Sequence, residues 1–217
     1  MTLCLADGVH WCIANDRVVL LDLKADSYSC LPPAADQAWR KQWAGETLSA
    51  SDAAALKDLV DTGVLVSGQT LLNPPSTQTV SRSLLDEIDA DTAPVSLEAA
   101  WDQVLTACQL KTCSLFALIA GVRERKRAEP FAYTTTKSKQ CDIARFMASR
   151  RLVSRQSQCL RTSLALVSFL ARRRCYPDLV IGVRMRPFAA HAWVQAADKV
   201  LNDAVDAVAP YTPILVV

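Results

Sequence analysis

The loss of any hydrophobic period between Ser67 and Pro94 constrains this chain more than any other feature. The stretch SGQTLLNPPSTQTVSRS carries neither a helical nor a strand repeat and has the composition of a linker. A chain of 217 residues interrupted there reads as two units, 1–70 and 96–217, joined by a linker over 71–95. Charge divides along the same line. Residues 1–80 hold five Lys/Arg against nine Asp/Glu, whereas residues 120–190 hold sixteen against four, so a net charge of only +2 conceals an acidic start and a basic second half. Such a split points to units with different partners, or to arginines that solvate helix faces.

Composition excludes several classes. The chain is 51% hydrophobic and 21% charged, as soluble proteins are. No apolar run reaches the roughly 20 residues that a membrane span needs, so no membrane insertion is expected. The start MTLCLADGVHWC lacks a basic region and a long apolar core, which predicts a cytoplasmic protein with reduced cysteines. The eight cysteines, at 4, 12, 30, 108, 113, 141, 159 and 175, form no C-x-x-C pair. With two histidines beside them, neither a metal nor another cofactor is expected.

The first unit begins as strands, VHWCIAND, RVVLLDL and SYSCL, with an Asn-Asp turn signal between the first two. Pro32-Pro33 opens a helix that Gly45 closes, Ser49 or Ser51 caps a second that ends before Gly63, and VLV is the last strand. In the second unit, Ser96 is expected to cap one long helix through Ala120. Its predicted buried stripe is Leu97, Trp101, Val104, Leu105, Cys108, Leu115, Leu118 and Ile119. CDIARFMASRRLV is a shorter helix.

Chemistry concentrates after residue 154. In SRQSQCLRTSLALVSFLARRR, Ser157 is a good N-cap, which puts Cys159 in the first turn of a helix. Backbone N–H groups and the positive end of the dipole favour a thiolate there. Three β-rich runs follow, LVIGVRM, AAHAWVQA and KVLND, and suggest an antiparallel sheet. If Ala196-Ala197-Asp198 is a three-residue loop, Gln195 pairs with Lys199, Trp193 with Leu201, and His191 with Asp203. A two-residue loop would turn Asp203 to the other face. A carboxylate beside an imidazole fixes its tautomer, and an imidazole beside a thiol makes the thiolate. The backbone N–H of Cys159, with Gln156 or Gln158, is a candidate oxyanion donor set. The competing base, His10, lies in the other unit.

The order CLRTSLAL…HAWVQ…VLND resembles the transglutaminase-like cysteine peptidase of lasso peptide biosynthesis, the leader peptidase or B protein. The first unit, by its strand–strand–strand–helix order and DTGVL closing the last helix, resembles the precursor-recognition domain related to the pyrroloquinoline quinone chaperone. Together they look like the fused form of the B protein. The resemblance implies an α+β chain: a small winged-helix-like domain, then a transglutaminase-like or papain-like cysteine peptidase domain with helices packed on an antiparallel sheet. It implies that Cys159 is the nucleophile, His191 the general base and acid, and Asp203 the orienting carboxylate. It further implies that Ser27, Tyr28, Ser29 and Cys30 form the edge onto which the leader of a ribosomal precursor peptide adds as a strand. The partners implied are that precursor and a separate ATP-using, asparagine-synthetase-like cyclase. Two features depart from the family pattern: a recognition domain usually has three helices, and HAWVQ lacks the acidic residue often found after its valine.

Two other functions fit parts of the sequence. One is a nucleic-acid-binding regulator, built on the winged-helix-like start and the basic second half, although the winged unit itself is net negative and no nucleic-acid partner is expected. The other is an acyltransferase on the same Cys-His-Asp arrangement, since a thioester forms in either case.

Overall fold

The computed structural model describes residues 3–68, 73–128, 136–152 and 159–217, and the chain is a mixed helix-and-sheet protein of the α+β class. It divides into two compact units, 1–75 and 76–217. No described helix is long and apolar enough to cross a membrane.

The first unit runs β1 (Leu3–Leu5), β2 (Val9–Ala14), β3 (Arg17–Asp22), β4 (Ser27–Cys30), α1 (Pro33–Trp43), α2 (Ala50–Asp61) and β5 (Leu65–Ser67). Asn15 and Asp16 both take positive φ, 49° and 59°, as a two-residue turn matched to strand twist requires, and Ala14 faces Arg17 across it. β4 extends this meander at its edge. Proline starts α1, Ser49 and Asp52 form a reciprocal capping box on α2, and Gly45 and Gly63 take positive φ just past the helix ends. Val9, Trp11, Val18 and Leu20 pack with Ala35, Ala38, Trp39 and Leu56, and the Trp11 ring meets Trp39 and Trp43 edge-on at 5.6 and 5.5 Å. β1 was not expected; it pairs with β5, and three residues are too few for an alternation to show.

The second unit contains β6 (Arg82–Ser83), a 3-10 turn (Leu84–Asp86), α3 (Leu97–Thr112), α4 (Leu115–Ala128), α5 (Lys137–Ser149), a second 3-10 turn (Arg150–Leu152), α6 (Cys159–Ala171), β7 (Asp178–Met185), β8 (Phe188–Ala196), β9 (Lys199–Val200), α7 (Val205–Val208) and β10 (Thr212–Val216). Among the described residues its sheet is ordered β10-β7-β8-β9-β6, antiparallel except where β6 runs parallel to β9. The strongly apolar α6 is buried nearly all round, between this sheet and α3. Each fully buried Leu, Val or Phe there is worth about 1.5–3 kcal/mol.

Three expectations are corrected here. The helix capped by Ser96 stops at Thr112; Cys113 is extended (φ −117°, ψ 149°), and Ser114 accepts the Ala117 N–H at 3.2 Å to begin α4. A second N-cap signal inside the run thus broke the helix. The predicted stripe of α3 also faces the wrong way. Leu97 and Trp101 are 80% and 66% exposed, whereas Ala99, Asp102, Gln103 and Thr106 are buried. Arg172, just past α6, bonds the Asp102 carboxylate and also reaches Glu98. A carboxylate buried without such a partner costs several kcal/mol, and the ion pair is what lets Asp102 lie on the inward face. Leu115 and Ile119 are buried as expected, on α4. Finally, Arg82 and Ser83, read as linker, form β6 of the second unit, and β10 adds a strand on the far side of β7. A two-residue strand carries no readable period.

Candidate active site

The hairpin between β8 and β9 has a two-residue turn, and this corrects the expected three-residue loop. Gln195 faces Val200 and Ala196 faces Lys199, with Ala197 at φ 54° in the turn. Asp198 is tied down by Ser81 Oγ at 2.6 Å and by two guanidinium nitrogens of Arg82. By strand alternation this register would point Asp203 away from His191. It does not, because the ladder stops. Leu201 N still donates to Val194 O at 2.8 Å, but Val194 N donates to the side chain of Asn202 rather than to a backbone carbonyl, also at 2.8 Å. The chain bends over residues 201–203 and swings Asp203 back, so that Asp203 Oδ2 lies 2.7 Å from His191 Nε2.

Asp203 is held from both ends. Ser83 Oγ donates to its carbonyl at 2.7 Å, and the Ala204 N–H donates to Oδ1 at 2.9 Å, which leaves Oδ2 for the imidazole. Burial alone would raise the Asp203 carboxyl, but the bonds from His191 and Ala204 outweigh it and the net shift is downward. The bond to Asp203, followed by one to Cys159, raises the imidazolium to about 9. Cys159 opens α6, half-buried, and lies near enough to His191 for each to shift the other's titration. Burial pushes its thiol up, yet His191 and the backbone N–H groups of Ala192 and Leu160 bring the net value below that of an ordinary thiol. Burial without such partners does the opposite elsewhere: it pushes Cys12 up to about 12 and Cys175 to about 11. Both shifts, the thiol downward and the imidazolium upward, run in the direction of a thiolate–imidazolium pair.

Aromatic rings flank the imidazole. Trp193 stacks at 6.1 Å and Tyr211 lies 5.2 Å away, tilted by 37°. Gly182 stands directly across the ladder from His191. A Cβ there would come within 2.8 Å of the Trp193 ring and 3.0 Å of Tyr211 Cβ, so only glycine fits this contact.

The structure thus brings Cys159, His191 and Asp203 together. Ser27, Tyr28, Ser29 and Cys30 form β4, the outer strand of the order β2-β3-β4, and three of the four are exposed. Gln156, Ser157 and Gln158 lie outside the described residues. His10 is on β2, opposite Leu21. Part of the basic half is paired: Arg173 with Glu98 and Asp142, Arg172 with Asp102, and Lys126 with Asp178. Among the described residues no group of three His, Cys, Asp or Glu is placed to hold a metal. Sequence reasoning missed Ser83, Gly182, Asn202 and Tyr211. Only Asn202 left a signal, as the polar neighbour of Asp203 in VLND.

Residues 104–216 match the family described as the transglutaminase-like superfamily. Over 49 residues the chain is 47% identical to the Microcin J25-processing protein McjB of Escherichia coli, an overlap of 23% of this chain and 24% of that protein. The match therefore spans about a quarter of the relative's length. No solved structure matches the chain.

Proposed function

The chain belongs to the transglutaminase-like superfamily, and from that premise we propose that it is a cysteine peptidase that cuts the leader from the core of a lasso peptide precursor. The observation that carries the reading is the grouping of Cys159, at the start of α6, with a histidine that Asp203 grips at 2.7 Å. The short stretch of identity to a microcin-processing protein supports the substrate class.

In this reading the Cys159 thiolate attacks the scissile carbonyl, and the imidazolium of His191 gives its proton to the departing amine. The leader is left as a thioester on Cys159. His191, now neutral, takes a proton from water, whose oxygen displaces the thiolate and releases the leader as a free acid. Asp203 keeps the ring oriented and stabilises its charged form. The exposed edge strand Ser27–Cys30 receives the leader by strand addition, and the reaction takes place in the cytoplasm, where a ribosomal substrate is made. The freed amine of the core then passes to an asparagine-synthetase-like cyclase.

The test is incubation with a lasso peptide precursor, followed by mass spectrometry. Wild type should release a leader with a free carboxylate, and Cys159→Ala should release none while keeping its fold. Equal processing by both proteins would reject the peptidase reading. A leader joined to an added amine instead of water would mark acyl transfer.

A further inference from the structure

A buried run of hydrogen bonds connects the immediate neighbours of Cys159, His191 and Asp203. Ser163 lies one helical turn beyond Cys159, on the same side of α6, and is fully buried. Its hydroxyl donates to the carbonyl of Ala192, next to His191, at 3.0 Å. It accepts from Asn202 Nδ2, next to Asp203, at 2.9 Å. Asn202 Oδ1 in turn accepts the Val194 N–H at 2.8 Å. One short network thus spans the helix, the strand and the bend that carry the three site residues.

Stability alone gives little reason for this pair. Replacing both partners of a buried hydrogen bond with apolar groups of similar shape is close to neutral, and most of the buried residues of α6 are apolar. Apolar contacts are non-directional and tolerate small slides and rotations, whereas a satisfied polar network specifies one arrangement. That specificity matters here, because the Cys159 thiolate is supported by His191 and by the Ala192 N–H, and both belong to a different element.

We propose that Ser163 and Asn202 are positioning residues, which lock α6, β8 and the 201–203 bend into the one register that aligns Cys159, His191 and Asp203. The role assigned to them rests on the peptidase reading, but the geometry can be tested without substrate.

Alkylation of Cys159 by iodoacetamide, resolved by peptide mass spectrometry across pH in the full chain, reports its thiolate fraction. In Ser163→Ala and Asn202→Ala the midpoint should move up, because burial persists while the bonds that lower it loosen. With the precursor, turnover should fall about tenfold or more at unchanged KM, the scale expected when reacting groups are misplaced by a fraction of an ångström. Ser163→Thr keeps the hydroxyl but crowds a closed site, so it should melt earlier and still alkylate like wild type. Ile119→Val, fully buried on α4, gives the matching control for lost packing. Should Ser163→Ala fail to fold, Asn202→Ala, at the edge of the core with 7% exposure, decides alone. The proposal is overturned if the alanine variants merely melt earlier and keep the wild-type alkylation profile. Failure of wild type to cut any precursor would instead reject the peptidase reading, and the alkylation result would still stand.

Discussion

The chain builds two hairpins on the same plan. In each, a two-residue turn with at least one positive φ joins strands, and the first strand carries one of the chain's two histidines. The β2–β3 hairpin keeps its ladder from Val9↔Asp22 to Ala14↔Arg17, and His10 takes the regular place opposite Leu21. The β8–β9 hairpin abandons strand pairing after Val200, when Asn202 substitutes its side chain for the backbone. That departure lets a carboxylate reach a histidine that a regular register would deny it. An unbroken ladder stabilises, and an interrupted one creates a site.

The two histidines give the sharpest contrast and the largest expected effect. On the proposed reading His191→Ala removes the base and the partner that lowers the thiol, so precursor cleavage should fall by about 10⁴-fold or more, and alkylation of Cys159 near pH 7 should slow. His10→Ala should leave the alkylation rate as in wild type. Comparable losses in both variants would mean that the second hairpin holds no special position.

Asp203→Asn tests the bend itself and should act less completely than His191→Ala, with cleavage down by roughly 10²–10⁴-fold. The sign of its pH effect follows from what holds the imidazolium. The bond to Asp203 is the largest influence raising His191 to about 9, so without the carboxylate that value falls. Stability from the charged pair is present below the ordinary histidine value near 6.5 and is lost as pH rises through about 9. The variant should therefore lose most stability on the neutral-to-acid side of 9 and differ least from wild type above it, as thermal melts across pH would record. Cleavage that stays flat across pH 6 to 9 in Asp203→Asn would reduce the site to Cys159 and His191.

The smallest effect compares the turns. Ala197 and Asp16 both sit in left-handed backbone, at φ 54° and 59°. Asp tolerates that region better than alanine does. Ala197→Gly should therefore raise the unfolding midpoint of its unit by about 2–4 °C, and Asp16→Gly should raise it less. The reverse order would show that the second turn is held by Asp198 with Ser81 and Arg82 strongly enough to cancel the strain.

Much of the site was legible because it rests on local chemistry. A cysteine near a good N-cap, a histidine in a β-rich run and an aspartate twelve residues on predicted a grouping that the geometry contains. The sequence reaches that proximity through a three-residue loop, whereas the structure reaches it through a two-residue turn and the bend that follows. Nothing in AADKVLND announces that the strand stops after Val200. That depends on Asn202 finding Ser163, 39 residues earlier, and on Asp203 being held by Ser83, 120 residues earlier. The α3 stripe failed for the same reason: Leu97 and Trp101 have the spacing of a core face, but the fold buries Asp102 instead, with Arg172, 70 residues on, as its partner.

The sequence by itself determined what is set within a few residues. This covers the proline start of α1, the Ser96 cap on α3, the Asn15-Asp16 turn, the placement of Cys159 at the start of α6, and the strands rich enough in β-branched residues to show a period. Tertiary structure alone decided which face of α3 is buried, that Arg82–Ser83 would pair beside β9, and where the β8–β9 ladder ends. The physical reason is the range of the interactions. A capping bond or a turn torsion is satisfied by its neighbours, whereas a buried carboxylate, amide or hydroxyl takes whatever partner the fold delivers, and being left without one costs more than local propensity can supply.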